Sequence, residues 1–238
     1  MAPALRLVLG KTWYAPGPWD ETSAWLGLGA AARTGLPQDE QLPDTGWYSL
    51  RGRDARGSLR CVEFHERPGH SDQLHVDLGW RGRPISFDPG SYLYNGPPPW
   101  DGGLAETAFH NTPRVDGAEP MRRAGRFLWA DRAQGHLLRR WRGDRFEAIL
   151  AAHDGYRRMG IRAARTLALV NERAWMVVDR IDGRGPRRLT VGWNLPDVAW
   201  DLSSGELTLS LPEDEFVVGW GPEETKAGLV RKGEWIAG

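Results

Sequence analysis

The segment QLHVDLGW, residues 73–80, alternates apolar and polar side chains. Every second residue from Leu74 to Trp80 is apolar, and the polar His75 and Asp77 fall between them. Successive side chains of a β-strand point to opposite faces, so this pattern gives one apolar face and one polar face. The segment therefore predicts a strand that covers a core on one side only.

Segments of the same kind recur on both sides of this strand. They are short, rich in β-forming residues and bounded by Gly, Pro, Asp or Asn. The other members are GWYSLRG (46–52), LRCVEF (59–64), RPISFDPG (83–90), GRFLWADR (125–132), HLLRRWRG (136–143), FEAILAAHD (146–154), RTLALV (165–170), AWMVVDRI (174–181), RRLTVGWNL (187–195), ELTLSLP (206–212) and EFVVGW (215–220). About a dozen short strands with no long helix among them predict an all-β fold, an antiparallel sandwich or barrel.

The first forty residues have a different pattern. Residues 19–33, WDETSAWLGLGAAAR, predict a short helix with Asp20 or Thr22 as N-cap, Arg33 in the last turn and Gly35 just beyond it. A short helix that contains glycines does not fold alone, so it must pack on the rest of the chain or on a helical neighbour. We therefore expect a helical lead-in that precedes a β-domain.

Composition excludes several classes of protein. The chain has 238 residues, with 31 basic and 31 acidic residues that cancel to a net charge of zero. No overall field therefore draws it to nucleic acid or to an anionic lipid surface. The single cysteine, Cys61, cannot form an internal disulfide. No apolar run approaches the ~20 residues that a membrane-spanning helix needs.

The opening MAPALRLVLG has neither the apolar run nor the cleavage site of a secretory signal. As it stands, the sequence predicts a cytoplasmic protein. The fingerprints of serine hydrolases, P-loop NTPases, HExxH metalloproteases and nicotinamide enzymes are all absent from the sequence.

Three polar segments stand next to predicted strands or end the longest irregular stretch. They are GHSDQLH (69–75), FDPGSYLYN (87–95) and FHNT (109–112). Because a hairpin brings strand ends together, His70, Asp88 and His110 can converge. Two imidazoles and one carboxylate suit a zinc ion and leave its fourth position open. The alternative is that both histidines are hydrogen-bonded turn residues.

Neighbouring residues also have two interpretations each. Asp72 either fixes a histidine tautomer from outside the ligand set or bonds turn amides. Tyr92 and Tyr94 share one face and either transfer protons or pack with a polar tip. The turn that contains His153 and Arg157 either presents both side chains to an anionic sugar or is a simple β-turn.

Taken together, these motifs resemble a known family. The order HSDQLHVDLGWRGRPISFDPGSYLYN, then PPPWDGGLAETAFHNTPRVDG, then AAHDGYRRMG is similar to the β-sandwich domain of the heparinase II/III-like polysaccharide lyases. The resemblance covers about residues 45 to 235 and rests on the combination of H-x-D, D-P-G-x-Y and H-N-T. It implies an antiparallel β-sandwich of the supersandwich type over residues 41–238, preceded by a helical lead-in at residues 1–40.

The resemblance also implies a function. Such proteins join a large α-helical toroid to this sandwich and cleave uronic-acid-containing polysaccharides by β-elimination. Zinc-bearing members hold the metal with residues that match His70, Asp88 and His110, so zinc is the expected cofactor, in a structural or substrate-orienting role. The family implies that a tyrosine acts as acid and base while His, Asn or Arg groups neutralise the uronate carboxylate, and that the tyrosine and much of the neutralising set lie in the toroid.

The candidate site residues follow from these motifs. The expected catalytic residues are Tyr92, Tyr94 and His153. The expected substrate-binding residues are Trp100, Asn111 and Arg157. The expected partner is an acidic polysaccharide or oligosaccharide, with no role for nucleic acid.

The sequence departs from the family in three places. The toroid is missing, except for a helical remnant in residues 1–40. Pro68 stands where some relatives carry a second histidine, and the chain ends at GEWIAG in a stretch typical of the middle of a sandwich. We therefore expect a truncated C-terminus and a module that needs a helical domain in trans for activity. The alternatives are a non-catalytic carbohydrate-binding or structural module, and a lyase for a substrate small enough for the sandwich alone.

Overall fold

The computed structural model describes most of the chain. The described residues are 11–12, 20–28, 32–33, 41–42, 45–93, 95–97, 100–203 and 205–230. Contacts divide the chain into one unit at Met1–Glu40 and a second at Gln41–Gly238. No helix in the described ranges is long and apolar enough to cross a membrane.

The first unit contains one short helix and one pair of strands. Helix α1 spans Glu21–Trp25, and strands β1 (Lys11–Thr12) and β2 (Ala32–Arg33) pair in parallel. The helix stops because Gly27 takes a left-handed backbone conformation with φ of 65°, which favours glycine. The helix predicted over residues 19–33 is therefore correct over α1 and wrong at β2. The predicted Gly35 terminator lies outside the described residues.

The second unit is almost entirely β. Its strands are β3 (Gln41–Leu42), β4 (Trp47–Arg51), β5 (Ala55–Arg60), β6 (Val76–Trp80), β7 (Arg83–Ser86), β8 (Pro113–Val115), β9 (Arg122–Gly125), β10 (Leu128–Ala130), β11 (Gly135–Arg142), β12 (Phe146–His153), β13 (Arg162–Val170), β14 (Ala174–Asp182), β15 (Leu189–Val191), β16 (Ala199–Ser203), β17 (Glu206–Ser210) and β18 (Glu215–Gly219). Three 3-10 helices lie at Gly103–Ala105, Thr107–Phe109 and Arg157–Met159.

Two sheets of this unit contain most of the paired residues. One has the order β3-β4-β5-β6-β7 and the other β11-β12-β13-β14, and all neighbouring strands within each are antiparallel. Smaller sheets pair β8 with β15, β9 with β10, and β16 with β17 and β18. After the first, each strand of these two sheets pairs with the strand before it, through short turns except at residues 61–75 and 154–161.

The core lies between the two large sheets. Leu50 and Leu59 from the first sheet and Ile149 and Leu167 from the second are fully buried in one apolar cluster. Strands β12 and β13 contact β4, and β13 also contacts β5. Each such buried aliphatic side chain contributes about 1.5–3 kcal/mol. The architecture is an antiparallel β-sandwich, as the sequence predicted.

Local departures from the predicted strands have clear causes. The strand predicted from residue 73 begins only at Val76, because Leu74 has a left-handed backbone with φ of 64°. Strand β8 was not predicted because it is only three residues long and begins with Pro113. Strand β9 was missed because its sequence, RRAG, carries no apolar alternation.

Candidate metal centre

The order of the strands places the candidate ligands at one end of the first sheet. His70 and Asp72 lie between the end of β5 and the start of β6, and Asp88 follows the end of β7. Because β5, β6 and β7 are consecutive antiparallel neighbours, these two connections leave the sheet at the same end. His110 follows the 3-10 helix Thr107–Phe109 and completes the group.

The side chains of this group meet closely. One ligand atom from each of His70, Asp72, Asp88 and His110 lies within 4.8 Å of all the others. Nδ1 of His70 is 3.2 Å from Nε2 of His110, which is itself 3.2 Å from Oδ2 of Asp88. Four ligands at 2.0–2.2 Å around a tetrahedral zinc ion stand roughly 3.3–3.6 Å apart. The predicted convergence is confirmed, and its spacing fits a single small cation.

A backbone contact orients the His110 ring. Its Nδ1 lies 2.8 Å from the carbonyl oxygen of Glu106, and a carbonyl oxygen only accepts hydrogen bonds. Nδ1 therefore carries the proton and donates it, which leaves the Nε2 lone pair facing His70 and Asp88. Histidines that bind metals are commonly held in this way by a backbone acceptor on the other nitrogen.

The segment that carries His70 is anchored on both sides. The buried indole of Trp129 donates through Nε1 to the carbonyl oxygen of Gly69 at 3.1 Å. The Ser71 amide donates to Ala105 O at 2.8 Å, and Thr107 Oγ1 donates to Ser71 O at 2.7 Å. These bonds fix an irregular stretch of backbone and hence the position of the imidazole.

Burial and charge shift the pKa values of the group in different directions. Burial alone would raise the pKa of Asp88, but its contacts with His110 and with the Gly90 amide outweigh burial and hold that pKa well below the usual value. Burial would lower the pKa of His110, yet the hydrogen bond to Asp88 and the charges of Asp72 and Asp88 raise it. Burial and the charge of His110 lower the pKa of His70. When His110 is protonated, its Nε2 donates to the Asp88 carboxylate, and a cation bound between the two side chains would take the place of that proton.

Asp72 adds a fourth potential ligand, an oxygen donor, that was not placed in the ligand set from sequence. Its Oδ2 pairs with Arg60 Nε at 2.5 Å, and Arg60 lies over the ring of Trp47. Its other oxygen, Oδ1, is buried, and no hydrogen-bond donor among the described residues reaches it. A buried carboxylate oxygen without a donor is costly unless something else compensates it. The signal available in the sequence was the H-x-D spacing itself.

His75 is also close to the group, but both its nitrogens are used by other partners. Nδ1 accepts a hydrogen bond from the Asn111 amide at 3.0 Å, so Nε2 carries the proton and donates to Asp77 Oδ1 at 2.9 Å. Nε2 is 4.0 Å from Asp88 Oδ2. His75 therefore supports the centre as a buried structural residue.

Asn111, expected to bind substrate, is fully buried next to His110. Its side-chain amide nitrogen donates to Val76 O at 2.9 Å and Ser86 Oγ at 2.7 Å, and its Oδ1 accepts from the Asn194 amide at 2.6 Å. The polar atoms of this side chain thus bond within the protein rather than face solvent.

Two of the other expected residues lie at the surface close to the centre. Ser91 Oγ is 3.0 Å from Nε2 of His70, so Tyr92 is one residue away from a contact of the group. The Tyr92 side chain is 68% exposed, and its ring meets that of Trp100 edge-on at 5.3 Å. Tyr94 lies outside the described residues.

His153 and Arg157 lie in a different setting, at the end of β12. His153 is buried, its Nδ1 accepts from the Gly155 amide at 3.0 Å, and its ring packs against Tyr156. Burial lowers the pKa of His153 to about 4. Arg157 pairs with Asp154 at 3.3 Å and lines a cavity of about 400 Å³ with Tyr156. The structure does not bring these two residues into the group of four described above.

The fold and the histidine–aspartate group together define a β-sandwich protein with a candidate metal centre at one end of its first sheet. The sequence profile of the heparinase II/III-like C-terminal domain matches residues 34–233. This chain belongs to the heparinase II/III-like family. No curated protein matches it in a sequence search.

Solved structures with the same fold include three lyases. A heparinase III, the BT4657 gene product, superposes with a TM-score of 0.61 at 15% identity, over 82% of this chain and 30% of its own. The heparan sulfate lyase HepC from Pedobacter heparinus gives 0.60 at 16%, over 82% and 31%. A further heparinase III gives 0.63 at 17%, over 77% and 29%. The chain thus spans about 30% of the length of these relatives.

Proposed function

We propose that this chain is the β-sandwich module of a polysaccharide lyase that cleaves uronic-acid-containing chains by β-elimination. Membership of the heparinase II/III-like family supports the reaction class. The similar structures are named as heparinases and heparan sulfate lyases, and this chain spans less than a third of each. The module is therefore proposed to need a helical domain for turnover.

The observation that carries the proposal is the convergence of His70, Asp88 and His110 at the end of the first sheet. Nitrogen and oxygen donors at this spacing fit zinc, with Asp72 as a fourth donor. With zinc bound, the two aspartates, Arg60 and the ion sum to a net charge of about +1. That charge would attract and orient a uronate carboxylate in addition to stabilising the fold.

β-Elimination needs a neutralised carboxylate, a base and an acid in one cleft. An ionised carboxylate opposes the negative charge that develops beside it when the C5 proton leaves. Of the tyrosines among the described residues, Tyr92 is exposed and directly follows Ser91, whose Oγ is 3.0 Å from His70 Nε2. We assign Tyr92 the proton-transfer role within this module, with Trp100 beside it as a stacking surface for the sugar.

We propose further roles for the three remaining residues expected at the site. Tyr94 follows Tyr92 by two residues and is proposed to serve the same reaction. Arg157 is proposed to bind an anionic group at the cavity that it lines with Tyr156. The lowered pKa of His153 keeps it neutral at neutral pH but makes it a weak base, and it would reach a substrate only if the surrounding turn opened.

Product formation tests this assignment. Each missing donor or proton carrier costs on the order of 10²–10⁴-fold in rate. We expect that the purified chain, loaded with zinc, gives no measurable ultraviolet-absorbing unsaturated product from uronic-acid oligosaccharides. Addition of a helical domain in trans should restore turnover, and Tyr92→Phe should abolish it. Steady product formation by the chain alone would contradict the need for a second domain.

A second candidate function is non-catalytic carbohydrate binding. The exposed Tyr92 and its edge-on partner Trp100 form an aromatic surface of the kind that stacks on sugar rings. This function predicts saturable binding of oligosaccharide that Tyr92→Ala removes, and no product even with the helical domain present. Measuring binding and product in the same samples separates the two functions.

A further inference from the structure

We propose that Arg165 is a positioning residue that holds the metal centre from the opposite sheet of the sandwich. Its guanidinium bridges the two backbone segments that carry the histidine ligands. This inference rests on the proposed zinc site and adds to it a residue that touches neither the metal nor the substrate.

Arg165 is an unusual residue for its place in the fold. It lies in the middle of β13, shares an inward face with Leu167 and Leu169, and is fully buried. Its Nε and Nη2 donate to the two oxygens of Asp179 on β14 at 2.7 and 2.8 Å. A buried ion pair of this kind is often no more stabilising than apolar side chains of similar volume. Stability alone therefore does not account for a guanidinium here.

The third nitrogen of the guanidinium explains its position. Nη1 donates to the carbonyl oxygen of Leu74 at 2.9 Å and to that of Asn111 at 2.5 Å. Leu74 is four residues after His70, and Asn111 directly follows His110. One nitrogen atom therefore ties together the two segments whose imidazoles face each other.

The Leu74 contact acts on a strained part of the backbone. Leu74 has φ of 64°, a left-handed conformation that costs a residue with a Cβ roughly 1–2 kcal/mol. This conformation turns the Leu74 carbonyl toward Arg165 instead of continuing the strand predicted from residue 73. Loss of the Arg165 guanidinium would remove a hydrogen bond that holds the segment after His70 in this conformation.

Asn111 extends the bridge to the third ligand. Its side-chain nitrogen donates to Ser86 Oγ at 2.7 Å and to Phe87 O at 3.2 Å, directly before Asp88. A continuous set of hydrogen bonds thus runs from Arg165 through Asn111 to the segments of all three proposed ligands. Residues that orient metal ligands in this manner typically change metal affinity 10–100-fold when they are removed.

A matched residue on the same sheet provides the control. Arg140 on β11 pairs with Glu147 at 2.8 Å and donates through Nη2 to Ser49 O on β4 at 3.2 Å. Like Arg165, it links the two sheets through an ion-paired guanidinium. These bonds end on Glu147 and Ser49, and neither residue belongs to a segment that carries a proposed ligand.

The experiment compares Arg165→Met with Arg140→Met in the complete chain, at a temperature where circular dichroism shows both to be folded. Zinc affinity is measured by competition with a chromophoric chelator, and Co²⁺ binding by visible absorption. We expect 10–100-fold weaker zinc binding and a weaker Co²⁺ band for Arg165→Met, and less than a twofold change for Arg140→Met. Arg165→Lys, which keeps the charge but not the fork, should fall between wild type and Arg165→Met, and it replaces Arg165→Met if that variant does not fold.

Hydrogen exchange adds a readout that needs no metal. The amides of Val76 and Asn111, which bond to Asn111 O and His75 Nδ1, should exchange faster in Arg165→Met than in Arg140→Met. Equal zinc affinity and equal exchange in both variants would overturn the role of Arg165 and leave the zinc site standing. A wild-type chain that binds neither zinc nor Co²⁺ would overturn both proposals.

Discussion

Two buried histidines in this sandwich, His110 and His153, have similar neighbours in sequence but different hydrogen-bond partners in the fold. Each directly follows an apolar residue, Phe109 or Ala152, and precedes a short polar one, Asn111 or Asp154. His110 donates from one nitrogen to a backbone carbonyl and turns the other toward His70 and Asp88. His153 accepts from the Gly155 amide and packs on a tyrosine ring.

The difference shows what separates a ligand from a core residue. Both side chains are nearly inaccessible to solvent, so burial does not distinguish them. The distinguishing feature is that Nε2 of His110 faces Nδ1 of His70 and Oδ2 of Asp88. Lone pairs on these three atoms repel one another unless a proton or a cation lies between them. At His110 the hydrogen bond to Asp88 and the nearby charges outweigh burial and raise the pKa, whereas at His153 burial outweighs the charge of Asp154 and lowers the pKa to about 4.

Removal of each histidine should therefore have very different effects on metal binding. We expect His110→Ala to weaken zinc binding by more than 10²-fold. Removal of a residue that only hydrogen-bonds to a ligand typically lowers metal affinity about 10–100-fold, and removal of the ligand itself should lower it further. His153→Gln should leave the zinc affinity within about twofold of wild type. Isothermal titration calorimetry of the two variants measures both. Similar losses in the two variants would contradict the assignment of His110 as a ligand and of His153 as a core residue.

The His153→Gln variant should also differ from wild type in acid stability. The folded-state pKa of His153 lies near 4, below the unfolded value of about 6.5, so between these pH values the unfolded chain binds more protons. Stability from this group is complete above pH 6.5 and falls as the pH drops toward 4, by roughly 3 kcal/mol in total. Urea unfolding in chelator at pH 7 and pH 4.5 should show a smaller loss for His153→Gln than for wild type. Identical losses would show that His153 titrates normally.

A smaller effect is expected at the aspartates of the two regions. Asp72 has a buried oxygen without a donor beside the proposed ligands, whereas Asp154 bonds to the Gln134 amide and to Arg157. Asp72→Asn should lower zinc affinity about 10-fold, and Asp154→Asn should not change it. Chelator competition with both variants checks this. An unchanged affinity in Asp72→Asn would leave three protein ligands and an open fourth position.

The fold was predictable where side chains alternate. Val76 and Leu78 face the core as predicted, because period-two patterns translate directly into strand faces. Short strands without that pattern, such as Pro113–Val115, could not be found from sequence because their pairing depends on a distant partner, Leu189–Val191. The predicted helix failed beyond Trp25 because a left-handed glycine ended it.

The candidate site was also predictable in part, where motifs mark residues at the ends of predicted strands. His70, Asp88 and His110 flank elements that the strand order brings together, and the motifs pointed to them. Asp72 lies in an irregular segment, where no periodicity tells which way a side chain points. Arg165 did leave a signal, since it shares the parity of Leu167 and Leu169 in RTLALV and must therefore face inward with them.

The central claim is that one ion binds between His70, Asp88 and His110. A crystal structure of the chain grown with zinc, with anomalous data collected on both sides of the zinc absorption edge, tests it most directly. We expect one strong anomalous peak about 2.0–2.2 Å from His70 Nδ1, His110 Nε2 and Asp88 Oδ2. Zinc bound only at other residues, or direct hydrogen bonds between these side chains with no peak at saturating zinc, would contradict the account.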